Sequence, residues 1–271
     1  VNDVLPRIAH LNKQIVAGEG GENRANDLRD QRQVLLQELS RLTGATVQEE
    51  DDGQATVHVH GLLLVSRDQA ATLDAATLNS AGLRAISYQS PNGVQADATD
   101  FITNGEIGGL IAMRDGEVPH VLDTLDQLAK TLVDTVNTQH ALGFDLNGTP
   151  GGNFFAPLAA TAGAAAQVRV ASAVATDPHV IATAQTAAGV PGDNRNALAL
   201  ANLQSTTQAA LGNTTLGTYL SSLINTVGAK AQASETGLDF HNALLRESQA
   251  RREATSGVSI DEEMTNLILF Q

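Results

Sequence analysis

Residues 45–66 read ATVQEEDDGQATVHVHGLLLVS, and they decide the fold because the spacing of apolar residues changes there. On both sides of Asp51-Asp52-Gly53 the chain alternates with a period of two. Such alternation flanking an Asp-Gly turn is a strong hairpin signal. GLRAISYQ (82–89) and VQADATDFITNGEIGGLIAM (94–113) continue in short β-rich pieces punctuated by Gly and Asn, with the ambiguous DQAATLDAATLN (68–79) between, strand or loop. Residues 45–108 are therefore expected to form a small β-domain inserted between helical segments.

Upstream, the period is helical. Val4, Ile8, Leu11 and Ile15 recur at steps of four, three and four, a narrow helical seam. Pro6 falls in the first turns, where a missing donor matters least. The Gly-rich AGEGGENRAND (17–27) breaks the helix, and a second seam runs through Leu28, Leu35, Leu39 and Leu42 to Gly44, a suitable residue just past a helix end. Two such helices pair antiparallel or pack on a third element.

Downstream, Leu122, Leu125, Ala129, Leu132 and Val136 predict a helix that Gly143 closes. A Gly-, Pro- and Ala-rich loop (143–166) follows, then an irregular segment (167–193) read as short strand or turn, then a helix capped by Asp193 or Asn194. Leu216, Leu220, Leu223, Val227, Leu238 and Leu245 predict a helix from Thr214 to about Ala254, roughly 60 Å long. The closing GVSIDEEMTNLILFQ (257–271) reads as a further helix start, with Ser259 and Glu262 in capping-box spacing and Asp261 to Glu263 where the helix dipole favours negative charge. The expected fold is α+β and multidomain: an elongated α-helical rod or bundle with coiled-coil-like seams, formed by 1–44 and 109–271, carrying a small, mainly β insertion.

Composition narrows the function. Of 271 residues 42% are apolar but only 3% aromatic, with no Trp, so the core is aliphatic and suits slender bundles better than a deep ligand pocket. A formal charge of −14 argues against nucleic acid, whose phosphates need Lys and Arg clusters, and against an anionic membrane surface. No apolar run reaches the length of a spanning helix, and no signal-peptide pattern opens the chain. The absence of Cys excludes disulfides and thiol chemistry from these residues.

Candidate chemistry is sparse. His58 and His60, two apart on a strand, share a face, but no third ligand lies near, and metal ligation needs three or four. Asp145 to Gly148 (DLNG) lacks the spacing and closing Glu of a calcium loop and reads as a turn. No phosphate-binding glycine pattern and no G-x-S-x-G elbow is present. Asp261 to Glu263 reads as helix-start charge, and Ala250 to Glu253 as a solvated helix face. No catalytic, cofactor or metal site is expected.

Several segments carry a family resemblance. VNDVLPRIAHLNKQI (1–15) with ANDLRDQRQVLLQELSRLTG (25–44), GGLIAMRDGEVPHVLDTLDQLAKTLVDTVNTQHALGFDLNGTPGGNFF (108–155), DPHVIATA (177–184), GVPGDNRNALALANLQ (189–204) and SGVSIDEEMTNLILFQ (256–271) resemble, in order, the bacterial flagellar hook-associated protein 1 family. The resemblance implies a structural subunit joining hook to filament as a ring at the distal end of the hook, with hook protein and a second junction protein as partners and room for an export chaperone. It implies delivery outside the cell by flagellar type III export. Family members have long terminal helical segments that pack as a coiled coil, so the chain is expected to be a core piece, monomeric alone and self-associating only with intact termini. The face of Met264, Leu267, Ile268 and Phe270 is then the candidate subunit contact. The other readings are a different flagellar axial protein, flagellin-like or the second junction protein, and a secreted adhesin on a helical stalk.

Overall fold

The hairpin forms where the period-two stretch places it. In the computed structural model, which describes residues 1–19 and 24–256, β1 (Thr46–Glu49) pairs antiparallel with β2 (Ala55–Val59), Val47 opposite Val57. Strand β2 alternates as its sequence demands: Ala55, Val57 and Val59 are buried while Thr56 and His58 are not. Strand β3 (Leu62–Ser66) pairs back on β2 with a bulge between Val57 and His58, so the successive residues Leu64 and Val65 are both buried. With β4 (Gln69–Ala70) these strands make one sheet; β5 (Thr72–Asp74), β6 (Ser87–Gln89) and β7 (Gln95–Asp97) make another.

Four turns of the chain share one geometry. In Glu50–Gln54, Asn79–Leu83, Ser90–Val94 and Asp145–Thr149 the first N–H donates to the fifth C=O, and the fourth N–H donates to the first C=O. The fourth residue is always Gly, with φ between 72° and 83°. This is the three-residue hairpin loop that needs a left-handed residue at its bulge.

The expected helices stand at both flanks. Helices α1 (Val4–Gly18) and α2 (Asn26–Thr43) pack side by side on the first sheet, with Leu5, Ile8, Leu35 and Leu39 against Val57, Val59, Leu64 and Val65 in one core. Core residues thus lie on both sides of Gly44. A polar network crosses this core. Buried Asn12 makes all four of its side-chain bonds: Nδ2 donates to Ala55 O (2.8 Å) and Arg67 O (2.9 Å), and Oδ1 accepts from Ala55 N–H (3.0 Å) and the Arg32 guanidinium (2.9 Å). Arg32 also donates to Gly53 O and pairs with Glu49; burial lowers its pKa. Arg29 bonds both Glu49 and Glu19, and that guanidinium holds the Glu19 carboxyl down to about 2.

The structure departs from the sequence reading at residues 105–112. These were expected as β-rich pieces but form helix α3 (Gly105–Ala112), which passes through a π-helical turn (Met113–Glu117) into α4 (Val118–Ala141). Glycines hid the helix, since Gly108 and Gly109 dilute the period that Ile107 and Ile111 keep against the core. Gly108 has a steric reason: a Cβ there would sit 2.5 Å from the Thr103 carbonyl carbon. Likewise Gly44, which ends α2 in the left-handed region, abuts Asn104 and Gly105 too closely for any side chain.

Backbone contacts divide the chain into two units, Val1–His120 and Val121–Gln271. In the second, α4 is followed by a largely irregular stretch with short helices α5 (Ser172–Thr176) and α6 (Arg195–Asn202), then by α7 (Leu216–Ser256). Asp193 supplies the start of α6: its Oδ1 accepts the Arg195 N–H at 3.0 Å.

Candidate assembly surface

Helix α7 carries an unusual surface. Leu220, Ile224, Val227, Ala231, Ser234, Leu238, His241 and Leu245 follow one another at steps of four and three without a break, the spacing of a coiled-coil seam. Leu223, at the start, is buried, but no residue from Ile224 to Arg252 is. Ile224 and Leu238 are each 61% exposed and Leu245 56%. Phe240 and Leu244 widen the stripe at its far end. From Ile224 to Leu245, some 22 residues or about 33 Å of helix, the seam faces solvent, an exposed apolar patch of the kind that interaction surfaces use.

The other seams divide differently. On α2, Leu35, Leu36 and Leu39 are spent inside their own unit. On α4 the buried residues are Asp126, Ala129, Thr131, Val133 and His140; of the expected Leu122–Val136 stripe Ala129 is buried, Leu125, Leu132 and Val136 are half-buried, and Leu122 is exposed. A third surface is an open groove of about 550 Å³ between α1 and α2, where Pro6, His10 and Leu11 face Val34 and Leu35. The contact candidates Met264, Leu267, Ile268 and Phe270, and the Asp261–Glu263 helix start, lie outside the described residues.

Polar residues of α4, the buried Asp126 and His140 and the half-buried Asn137, hold the irregular stretch. Asp126 accepts the N–H groups of Gly163 (2.6 Å) and Ala165 (2.8 Å). Asn137 bonds both backbone groups of Phe155, as a neighbouring strand would. His140, fully buried, bonds Gly152 O through Nδ1 at 2.8 Å and accepts the Ala182 N–H at Nε2 at 2.9 Å. Gln139 donates to Asn196, which donates to Ala182 O. These groups give the loop backbone the partners that sheet or helix would otherwise supply. No sequence signal marked them, because a polar residue on an amphipathic helix reads as its wet face.

The two histidines considered as a metal pair are not a strand pair. His58 is on β2, but His60 and Gly61 are the two turn residues of the β2–β3 hairpin, with φ 44° and 87°. His60 meets Thr103 instead, at 3.3 Å. Among the described residues no group of three or more His, Cys, Asp or Glu is arranged to hold a metal, and no helix is long and apolar enough to cross a membrane. Asp145 is occupied as a turn residue: its Oδ1 accepts the N–H groups of Asn147 and Thr149.

The chain thus combines, in an α+β fold, a helix pair packed on a small sheet with a long helix whose heptad seam is exposed. The family model described as flagellar hook-associated protein FlgK helical domain matches residues 1–155. The flagellar hook-associated protein 1 of Bacillus subtilis (strain 168) is 28% identical over 301 residues, covering 100% of this chain and 59% of that protein. Its Escherichia coli (strain K12) counterpart is 25% identical over 355 residues, covering 100% and 65%. A solved structure of the flagellar hook junction protein FlgK from Burkholderia pseudomallei shares 29% identity over 57% of this chain and 29% of that one, with a TM-score of 0.48. The chain belongs to the flagellar hook-associated protein FlgK family. It spans 59% and 65% of the length of the first two relatives.

Proposed function

We propose that this chain is the central part of a structural subunit at the junction between flagellar hook and filament, assembling as a ring at the distal end of the hook. Family membership supports the flagellar role, and the exposed heptad seam of α7 is the observation that carries the structural one: it is built to be covered by helix. In this reading 1–44 and 109–271 belong to the helical part of the subunit and 45–108 to its β part. Hook protein lies below and the second junction protein above, and an export chaperone covers apolar seams before assembly. The protein reaches the outside of the cell through the flagellar type III route, and its role is mechanical rather than catalytic. Met264, Leu267, Ile268 and Phe270 are further candidates for contact with neighbouring subunits in this reading.

The test adds the purified full-length protein to isolated hooks lacking filaments, followed by electron microscopy. A cap of density at the distal hook end is expected. Bare hooks beside folded protein in solution overturn the reading.

A further inference from the structure

The pair Asn-Gly occurs at Asn92–Gly93, Asn104–Gly105 and Asn147–Gly148, each time with the asparagine exposed. Glycine leaves the asparagine carboxamide open to attack by the next main-chain nitrogen, because no Cβ stands in the way. The reaction still asks two things of the fold. The glycine nitrogen must give up its proton, since its lone pair is otherwise held in the planar peptide. The asparagine backbone must also turn until that nitrogen reaches Cγ. Bonds and contacts that hold the backbone therefore decide which pair reacts.

Two of the three are held. Asn147 is third in the loop Asp145–Thr149, where all five N–H groups are engaged. Asp145 donates to Thr149 O (2.9 Å), Leu146 to His179 O (3.1 Å) and Gly148 to Asp145 O (3.0 Å), while Asn147 and Thr149 donate to Asp145 Oδ1. Asn104 precedes α3, and its carbonyl accepts the Gly108 N–H at 3.3 Å. Gly105 is seated against the end of α2, where a Cβ would come 2.7 Å from the Leu42 carbonyl carbon. Asn92 is third in Ser90–Val94, a loop of the same geometry, so its comparison with Asn147 isolates the fastening. Here Pro91 brings no N–H, Ser90 Oγ holds the Val94 N–H (3.0 Å), and a Cβ at Gly93 would meet nothing within 4 Å. A loop so lightly held opens at low cost.

We infer that Asn92 is a site of spontaneous covalent modification, a deamidation that the fold permits there and restrains at Asn104 and Asn147. Gly93 N bonds to Asn92 Cγ as the Cγ–Nδ2 bond breaks, and the side-chain nitrogen leaves as ammonia with the proton that Gly93 loses. Water then opens the five-membered imide at one carbonyl or the other, giving isoaspartate or aspartate. The balance is amide and water in, acid and ammonia out. Either product adds a negative charge to a chain already at −14. In isoaspartate the main chain runs through Cβ and is one atom longer. That atom enters a loop whose Ser90–Val94 pairing closes β6 on the edge strand β7.

The folded chain, kept in mildly alkaline buffer, is sampled over time, digested and read by mass spectrometry, with enzymatic methylation of isoaspartate as a second readout. The peptide carrying Asn92 should gain the mass of an amide-to-acid change at least about tenfold faster than those carrying Asn104 and Asn147, the rate equivalent of about 1.4 kcal/mol. The same chain in urea is the reference, where the three pairs should convert at similar rates. Asp145→Ala removes the carboxylate that fastens the second loop and should bring Asn147 toward the rate of Asn92. Equal rates at Asn92 and Asn147 in the folded wild type, or the folded ranking kept in urea, overturn the inference. So does a folded Asp145→Ala chain in which Asn147 stays as slow as before; should that variant not fold, the comparison of folded and urea-treated wild type decides.

Discussion

At the scale of single residues, Asn12 shows how much an unremarkable polar position can hold. Its four side-chain bonds join α1 to the ends of β2 and β3 and to Arg32 of α2. Asn12→Ala leaves several buried groups unpartnered and should lower the unfolding free energy by about 2–3 kcal/mol in urea titration. Its neighbour Lys13 makes only an exposed 3.6 Å pair with Asp68, and Lys13→Ala should stay within about 0.5 kcal/mol. A similar contrast applies to glycine. Gly44 and Gly61 both have positive φ, but a Cβ at Gly44 would come 2.3 Å from that of Asn104, while at Gly61 nothing lies within 4 Å. Gly61→Ala should therefore cost only the left-handed backbone penalty of about 1–2 kcal/mol, and Gly44→Ala clearly more, as read from thermal midpoints. Nothing in the sequence separated Asn12 from Lys13; a helix seam read by apolar spacing is blind to which polar neighbour faces inward.

At the scale of elements, the seams legible in the sequence were those whose period is undisturbed. The spacing of Val4, Ile8, Leu11 and Ile15 gave α1 its register, and all four are buried. Alternation around Asp52-Gly53 located the β1–β2 hairpin, and Gly44 closed α2 in the left-handed conformation expected of it. Helix α3 was not legible, because its glycines serve close packing and mimic turn punctuation. For α7 the period was legible but its partner was not. That distinction yields a prediction: Leu238→Ser with Leu245→Ser removes exposed seam residues, 61% and 56% accessible, and should change stability by less than about 0.5 kcal/mol. The same substitutions should prevent the hook capping proposed above, scored by electron microscopy. Leu39→Ala, in the core of the first unit, should cost about 2–5 kcal/mol.

At the scale of the molecule, charge sets the response to acid. The carboxyls of Glu19, Asp97, Asp115, Asp177 and Asp193 are all held below their ordinary values, chiefly by bonds to Arg29, Thr99, Arg114, His179 and Arg195. A carboxyl with a lowered folded pKa binds its proton more readily in the unfolded chain. Its stabilisation is therefore complete above the unfolded value and drains away as the pH falls toward the folded one. For Glu19 that window runs from 4.5 down to about 2. Urea midpoints should fall through this range, and Glu19→Gln should flatten part of the slope. The composition made the net charge plain, but which carboxylates are pinned depends on side chains brought together by the fold, as Glu19, Arg29 and Glu49 are.

The polar residues of α4 that hold the loop have one further consequence. Asp126, Asn137 and His140 hold their stretches of loop because eleven and three residues separate them, so the helix acts as a ruler whose marks are residue counts. One residue inserted between Asp126 and Asn137 would turn everything beyond it by about 100° and advance it by about 1.5 Å, leaving one end of the loop fastened and the other facing empty marks. The outward residues of α4 can therefore be exchanged without loosening the loop, whereas their number cannot be changed.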